Sequence, residues 1–171
     1  IRTAQAFAET SQPILLQGEV GSGKSLFAKS IHNASSVAQG PFVTFRCAAG
    51  GPSQTEALAA AALEANEGTL YLNAIDALKP EGQEFLLRLL EESVVQTRID
   101  ELPRSTNVRV IASLDGSLLP CAIAGQFRWD LYYVLAPMLL ELPPLRTRPE
   151  DLEQAIDMCL DCLLYTSDAA D

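Results

Sequence analysis

The chain has 171 residues, of which 48% are hydrophobic and 20% charged, and its 22 acidic and 12 basic side chains give a formal net charge of −10. This is about the length of one globular domain, and the acidic balance argues against direct binding of nucleic acid by this segment. The sequence shows no apolar run long enough to cross a bilayer and no signal-peptide pattern, so we expect no membrane partner and a cytoplasmic location.

The first predicted elements are a strand, a glycine-rich loop and a helix. Pro13–Gln17 is a short apolar run, Lys24–Asn33 has a helical pattern, and Gly18–Ser25 between them follows Gly-x4-Gly-Lys-Ser. In such a loop the glycines let backbone N–H groups turn inward, the lysine reaches the β- and γ-phosphates, and the serine hydroxyl binds Mg²⁺. The N-terminus of the following helix also favours a bound anion.

We therefore predict that the loop binds ATP or ADP together with Mg²⁺, the alternative being an ordinary glycine-rich turn. The residues assigned to the phosphates are Gly18, Glu19, Val20, Gly21, Ser22, Gly23, Lys24 and Ser25. Glu19, Val20 and Ser22 are expected to contribute loop backbone, and Ser25 is also the predicted Mg²⁺ ligand.

Apolar, β-rich runs alternate with helical patterns along most of the chain. This alternation predicts a parallel sheet of about five strands with helices on both faces, which is an α/β fold. The predicted strands are Pro13–Gln17, Phe42–Arg46, Thr69–Asn73, Val108–Ser113 and Met138–Leu142.

Helix starts are also predicted from local signals. Ser53-Gln-Thr-Glu56 has the pattern of a capping box that opens a helix running to about Asn66. Pro80 suits the first turn of another helix, whose core-facing stripe is Phe85, Leu86, Leu89 and Leu90. Pro143-Pro144 is expected to end the last strand, and Pro149 to start a final helix.

The remaining titratable residues give weaker signals. His32 is expected at the exposed end of its helix, in a structural or solvent-facing role. The four cysteines lack paired metal spacing and are expected to be free thiols in a reducing compartment: Cys47, Cys121, Cys159 and Cys162.

Beyond the phosphate loop, several separate stretches carry a family resemblance. They are Ala28-Lys-Ser-Ile-His32, Gly40-Pro-Phe-Val43, Cys47-Ala-Ala49, Glu67-Gly-Thr-Leu70, Val108-Arg-Val-Ile-Ala112, Phe127-Arg-Trp-Asp-Leu-Tyr-Tyr133 and Glu141-Leu-Pro-Pro-Leu-Arg146. With the loop, they make the chain from about Thr10 to Ile156 resemble the AAA+ ATPase domain of bacterial enhancer-binding transcription regulators, the sigma-54 interaction domain. The resemblance implies a three-layer P-loop NTPase core, a small helical lid that is truncated here, ring assembly, and ATP hydrolysis that remodels sigma-54 polymerase.

The chain departs from that family at the positions that would hydrolyse ATP. The second ATP motif of the family ends a strand with Asp-Glu, where the Asp holds Mg²⁺ through water and the Glu polarises the attacking water. This chain has Asn73, a weak candidate for the metal, and Ala74, which cannot accept a proton. A positioned base contributes about 10² to 10⁴ in rate, so we predict severely impaired hydrolysis, unless Asp76 substitutes.

Other family positions are also altered. Arg46 stands where the family has an Asn that restrains the catalytic Glu, and Asp115 replaces the sensor Asn. Of the family's two arginines that reach a neighbouring subunit's γ-phosphate, Arg128 matches the first and Val134 occupies the second. The segment from Gly50 to Glu67 lacks the family's Gly-Ala-Phe-Thr-Gly-Ala loop, so contact with sigma-54 by the usual route is not expected.

The domain organisation expected from these observations is a core at residues 1–161 and a tail at residues 162–171. The tail resembles a translated sequencing adapter, with a genuine amphipathic tail as the alternative, and the start at Ile1 predicts a fragment. Three interpretations of function remain: a nucleotide-binding regulatory domain that hydrolyses ATP poorly, a working ATPase that activates sigma-54 polymerase, and a scaffold that no longer binds nucleotide. In the first, the chain associates with itself in a ring or dimer, and DNA is contacted through a separate domain.

Overall fold

The computed structural model describes residues 6–49, 53–96 and 102–147. The strands are β1 (Ile14–Gly18), β2 (Phe42–Arg46), β3 (Thr69–Asn73), β4 (Val94–Val95), β5 (Arg104–Ser105), β6 (Arg109–Asp115) and β7 (Leu139–Glu141). The helices are α1 (Lys24–Asn33), α2 (Gln54–Glu64), α3 (Pro80–Glu92), α4 (Leu119–Ile123) and α5 (Trp129–Leu135). Short 3₁₀ turns lie at Cys47–Ala49, Ile75–Ala77, Ala136–Met138 and Leu145–Thr147.

The main sheet has five strands in the order β2-β3-β6-β1-β7, and every neighbouring pair in it is parallel. The predicted α/β fold with about five parallel strands is confirmed. β4 and β5 form a separate antiparallel pair that the sequence patterns did not predict. With two residues in each strand, that pair is too short to produce a periodic signal.

Helices cover both faces of the sheet. Successive strand residues point to opposite sides, so the apolar strands present side chains to be buried on each face. On one face, α1 packs its buried Ala28 and Ile31 against a cluster containing Ile14, Tyr71 and Ile111. On the other face, residues of α2, α3 and α5 pack against the alternate strand positions, such as Leu15, Leu70 and Ala112. The central strands are consequently almost fully buried, and they fix the positions of the loops at their ends.

The predicted start of α3 is confirmed, and the capping box of α2 is not. Pro80 is in the first turn of α3, and the predicted stripe packs into the core, with Leu90 half-buried. Ser53 makes no capping hydrogen bond from its side chain. Instead, Gln54 is buried; its amide donates to the carbonyl oxygens of Cys47 and Ala77, and its oxygen accepts from Lys79 N. This side chain therefore joins the turns that follow β2 and β3.

Contrary to the prediction, His32 is not exposed. Its side chain is buried, its Nδ1 lies 2.9 Å from the hydroxyl of Thr69, and its ring packs against Phe42. The helix end on which it lies faces the start of β3, which the sequence pattern of α1 alone does not reveal. The structural half of the prediction therefore holds, and the solvent-facing half is wrong.

Cys47 and Cys121 are free thiols, as predicted. Burial, together with the neighbouring Asp76 carboxylate, raises the pKa of the Cys47 thiol to about 12. Cys159, Cys162, the helix predicted from Pro149 and the tail at residues 162–171 lie outside the described residues. Within the described ranges, none of the helices combines the length and apolar character that a membrane span needs.

Candidate nucleotide-binding site

The predicted phosphate loop lies between the end of β1 and the start of α1. Gly21 and Gly23 have φ angles of 80° and 82°, in the left-handed region that favours glycine. Gly23 is the N-cap of α1, and its carbonyl oxygen accepts a hydrogen bond from Phe27 N at 2.9 Å. The loop therefore leads directly into a helix N-terminus, where backbone N–H groups are available to an anion.

The side chain of Lys24 is held inside the loop. It is only 8% exposed, and its Nζ donates to the carbonyl oxygens of Gly18 and Glu19, each at 2.8 Å. The same Nζ forms an ion pair with Asp115 Oδ1 at 2.7 Å. An ammonium group has three N–H donors, so a phosphate that binds Lys24 must replace at least one of these partners.

The hydroxyl of Ser25 belongs to a chain of hydroxyl groups below the loop. Ser25 Oγ lies 3.1 Å from the hydroxyl of Tyr71, which in turn lies 2.8 Å from Ser113 Oγ. These side chains come from α1, β3 and β6, and they lie on the face of the sheet that α1 covers. Tyr71 therefore fixes the position of the hydroxyl that the sequence assigns to a metal.

An open cavity of about 470 Å³ lies beside this chain of hydroxyls. Its lining residues are Ser25, Thr44, Arg46, Ala48, Tyr71 and Asn73. Arg46 and Asn73 are direct partners in the pairing of β2 with β3, at the carboxyl ends of both strands. Ligands of open α/β sheets bind at this edge, so the cavity is well placed to receive the end of a nucleotide's phosphate chain.

The residues that would replace the family's catalytic acids do not form an acidic site. Asn73 lines the cavity, whereas Ala74 and Asp76 are absent from its lining. Ala74 has a left-handed backbone with φ 57°, and Asp76 is an exposed residue of the 3₁₀ turn beyond it. Across the described part of the chain, no three His, Cys, Asp or Glu side chains are grouped so that they could hold a metal ion.

A second ion pair connects the loop to the segment after β7. The Arg146 guanidinium donates to both oxygens of Glu19, at 2.6 and 2.9 Å. These hydrogen bonds hold the pKa of the Glu19 carboxyl below its ordinary value. Glu19 was predicted to contribute only backbone, and the structure adds this side-chain contact.

Arg128, predicted as an arginine finger in trans, lies just before α5 and outside the cavity lining. Its backbone N–H donates to Gln83 Oε1, and its guanidinium forms two hydrogen bonds with Asp130, at 3.0 and 2.7 Å. The side chain is 43% exposed, so it is accessible from outside the chain. Its role toward a neighbouring subunit remains a prediction.

Sequence reasoning did not identify Tyr71 as part of the site. A signal was present, because Tyr71 is a hydroxyl-bearing residue between two leucines, two positions before Asn73. Residues at i and i+2 of a strand share a face, so Tyr71 and Asn73 had to lie on the same side. The contact between Lys24 and Asp115 carried no such local signal.

The strand order, together with a phosphate loop between β1 and α1, defines a P-loop NTPase fold. The Sigma-54 interaction domain matches this chain over residues 1–63 and 51–141. The chain therefore belongs to the Sigma-54 interaction domain family.

Individual relatives agree with this assignment. The Nif-specific regulatory protein of Rhodobacter capsulatus is 34% identical over 170 residues, which cover 90% of this chain and 29% of that protein. NtrX from Brucella abortus, solved in complex with ATP, has a TM-score of 0.79 and 30% identity over 92% of this chain and 39% of NtrX. The P-loop NTPase domain of the Sigma-54 transport activator from E. coli has a TM-score of 0.66 and 28% identity over 84% of this chain and 92% of that domain. The chain thus spans less than half the length of the first two proteins.

Proposed function

We propose that this chain is the nucleotide-binding domain of a cytoplasmic transcription regulator of the sigma-54 type, and that it holds ATP or ADP but hydrolyses ATP poorly. The observation that carries the proposal is a complete phosphate loop, with Lys24 buried in it, beside a strand that ends in Asn73 and Ala74. Nucleotide occupancy would then set the oligomeric state, as a ring or dimer, or the orientation of a separate DNA-binding domain.

Binding is supported by the loop geometry and by the relatives. The loop provides a helix N-terminus, glycines with positive φ and a lysine, which are the components that hold phosphates in P-loop proteins. NtrX, with which the chain shares its fold, has been solved in complexes with ADP and with ATP. We infer that the phosphate loop of this chain also binds a nucleotide.

Poor hydrolysis is supported by the chemistry of the cavity. Asn73 is neutral and Ala74 has no functional group, so neither activates a water molecule for attack on the γ-phosphate. The second arginine position of the family is occupied by Val134, and an arginine finger is worth about 10³ to 10⁵ in rate. Both changes lower the expected rate of ATP hydrolysis.

Contact with sigma-54 is proposed not to follow the usual route. The sequence between β2 and β3 contains α2 and no Gly-Ala-Phe-Thr-Gly-Ala segment. The two parts of the family match overlap at residues 51–63, within this same stretch. A regulator without that loop would act through nucleotide-dependent assembly instead of through remodelling of the polymerase.

Titration of the chain with a fluorescent ATP analogue tests binding. Lys24→Ala should abolish most of the binding, because it removes the charged donors of the loop. Lys29→Ala is the matched control, since Lys29 is an exposed lysine of the same helix. Absence of binding at millimolar nucleotide contradicts the proposal. If Lys24→Ala and the unaltered chain have the same thermal stability in the presence of ATP, the result favours a scaffold.

Phosphate release measures hydrolysis, with the double substitution Asn73→Asp and Ala74→Glu as the gain-of-function variant. We expect background turnover in the chain and an increase of about 10²-fold or more in the double variant. The glutamate has to adopt the left-handed backbone that Ala74 already has, so the change adds little new strain. Turnover in the unaltered chain that rises with protein concentration and is lost in Asp76→Ala supports the working ATPase.

A further inference from the structure

We propose that the guanidinium of Arg46, and not Mg²⁺, supplies the positive charge that this site places beside a nucleotide's terminal phosphates. Nucleotide binding by this chain would then be independent of divalent metal. The inference rests on the proposed nucleotide binding, and it names the charge partner at that same site.

The residues around Ser25 do not fit Mg²⁺. Magnesium in phosphate sites is held by one or two carboxylates together with phosphate oxygens and water. The cavity lining contains no carboxylate; its polar groups besides Arg46 are hydroxyls and the neutral amide of Asn73. A guanidinium in the same lining repels a dication, so the electrostatics favour an anion over a metal.

Arg46 is available for such a role. It is an exposed residue at the last position of β2, and the described part of the structure gives its guanidinium no hydrogen bond or ion pair. Its neighbour in the sheet is Asn73, which brings no negative charge that could neutralise it. A guanidinium has a planar fork of donors that binds phosphate in a bidentate manner.

The carboxylate of the loop residue Glu19 and that of Asp115, which contacts Lys24, are both paired with cations. Asp115 Oδ1 lies 2.7 Å from Lys24 Nζ, and both oxygens of Glu19 accept hydrogen bonds from Arg146. Both carboxylates are therefore engaged with cations in this structure, and neither lines the cavity at Ser25. Phosphate oxygens that enter the cavity encounter Arg46 from β2, and Lys24 of the loop immediately precedes the lining residue Ser25.

The experiment compares the Kd of ATP in the presence of EDTA with the Kd in the presence of excess MgCl₂. We expect the two values for the unaltered chain to agree within about twofold. Arg46→Gln should weaken binding in EDTA by roughly ten- to hundredfold, the loss typical of a charge-assisted contact. Arg88→Gln is the control for net charge, because Arg88 lies on α3, on the opposite face of the sheet.

A second variant tests the exchange of charge directly. Restoring the acid with Arg46→Asn and Asn73→Asp together should make ATP binding depend on Mg²⁺ by tenfold or more. Tenfold tighter binding of ATP with Mg²⁺ by the unaltered chain overturns the inference, as does an unchanged Kd of Arg46→Gln in EDTA. Either result leaves nucleotide binding itself intact, whereas failure to bind ATP under both conditions refutes the proposed function.

Discussion

Lys24 is already occupied by partners within the chain, which bears on its affinity for nucleotide. The ion pair with Asp115 joins a side chain that is 8% exposed to one that is 60% exposed. Because Asp115 is largely in water, it can move away from Lys24 at modest cost when a phosphate arrives. The carboxylate nevertheless competes with the phosphate for the same ammonium group.

Asp115→Asn should therefore tighten ATP binding by roughly three- to tenfold, because it removes a competing negative charge. The Kd is measured by titration with the fluorescent analogue. Asp76→Asn is the control, since it removes the same charge from the turn after β3. An unchanged or weaker affinity in Asp115→Asn would show that Asp115 does not compete with the phosphates.

The buried His32 should give the chain a pH-dependent stability. Burial, with the positive charges of Arg109 and Lys29, lowers the pKa of His32. The unfolded chain, with an ordinary pKa of about 6.5, then takes up more protons than the folded chain as the pH falls. The stability contributed by neutral His32 is complete above about pH 6.5, and it is lost progressively toward the lower pKa of the folded state.

Urea unfolding of the chain and of His32→Gln between roughly pH 5 and pH 7.5 measures this effect. We expect the free energy of unfolding of the chain to fall more steeply with decreasing pH than that of the variant. Carboxylates that titrate in this range contribute equally to both proteins. Parallel curves would show that His32 is protonated without cost in the folded state.

At the scale of elements, two buried glutamines join helices to the loops of the site. Gln54, at the start of α2, binds the turns that follow β2 and β3, and those turns begin one residue after Arg46 and two residues after Asn73. Gln83, in α3, donates to the carbonyl oxygens of Leu78 and Gln126 and accepts from Arg128 N. The helices thereby position both the cavity and the predicted arginine finger.

Gln83→Leu should lower the free energy of unfolding by about 2–3 kcal/mol, because it leaves partly buried backbone groups without their hydrogen-bond partners. Urea unfolding gives the value. Gln126→Leu is the matched control, since Gln126 is exposed and offers Gln83 only its backbone carbonyl. A loss no larger than that of the control would mean that water or a neighbouring side chain replaces the amide.

At the scale of the molecule, a nucleotide that binds only the folded chain acts as a structural ligand. A ligand at a hundred times its Kd adds about 2.7 kcal/mol to the free energy of unfolding. For a chain of this size, that corresponds to a rise in melting temperature of roughly 5–10 °C. The domain would then be more stable when it is occupied than when it is empty.

Thermal unfolding of the chain with increasing ATP measures this stabilisation. We expect the melting temperature to rise with the logarithm of the ATP concentration above the Kd, in EDTA as well as with Mg²⁺. Lys24→Ala should remove the rise, whereas Lys29→Ala should retain it. A constant melting temperature in the unaltered chain would favour the scaffold that does not bind nucleotide.

The sequence by itself determined the elements whose signals are local. The bounds of α1, β2 and β3 agree with their predictions, because apolar runs, glycines and helical periodicity act over a few neighbouring residues. The phosphate loop and the missing acids at Asn73 and Ala74 were likewise readable without a fold. So was the family, through motifs distributed along the chain.

Only the tertiary structure decided which distant residues meet. The contacts of Lys24 with Asp115 and of Ser25 with Tyr71 join residues far apart in the sequence, and they depend on the strand order and register of the sheet. The burial of His32 and the loss of the capping box at Ser53 have the same origin, because packing against other elements outweighs a local preference. The pairing of β2 with β3 also placed Arg46 beside Asn73, and with it a positive charge where the sequence led us to expect a metal.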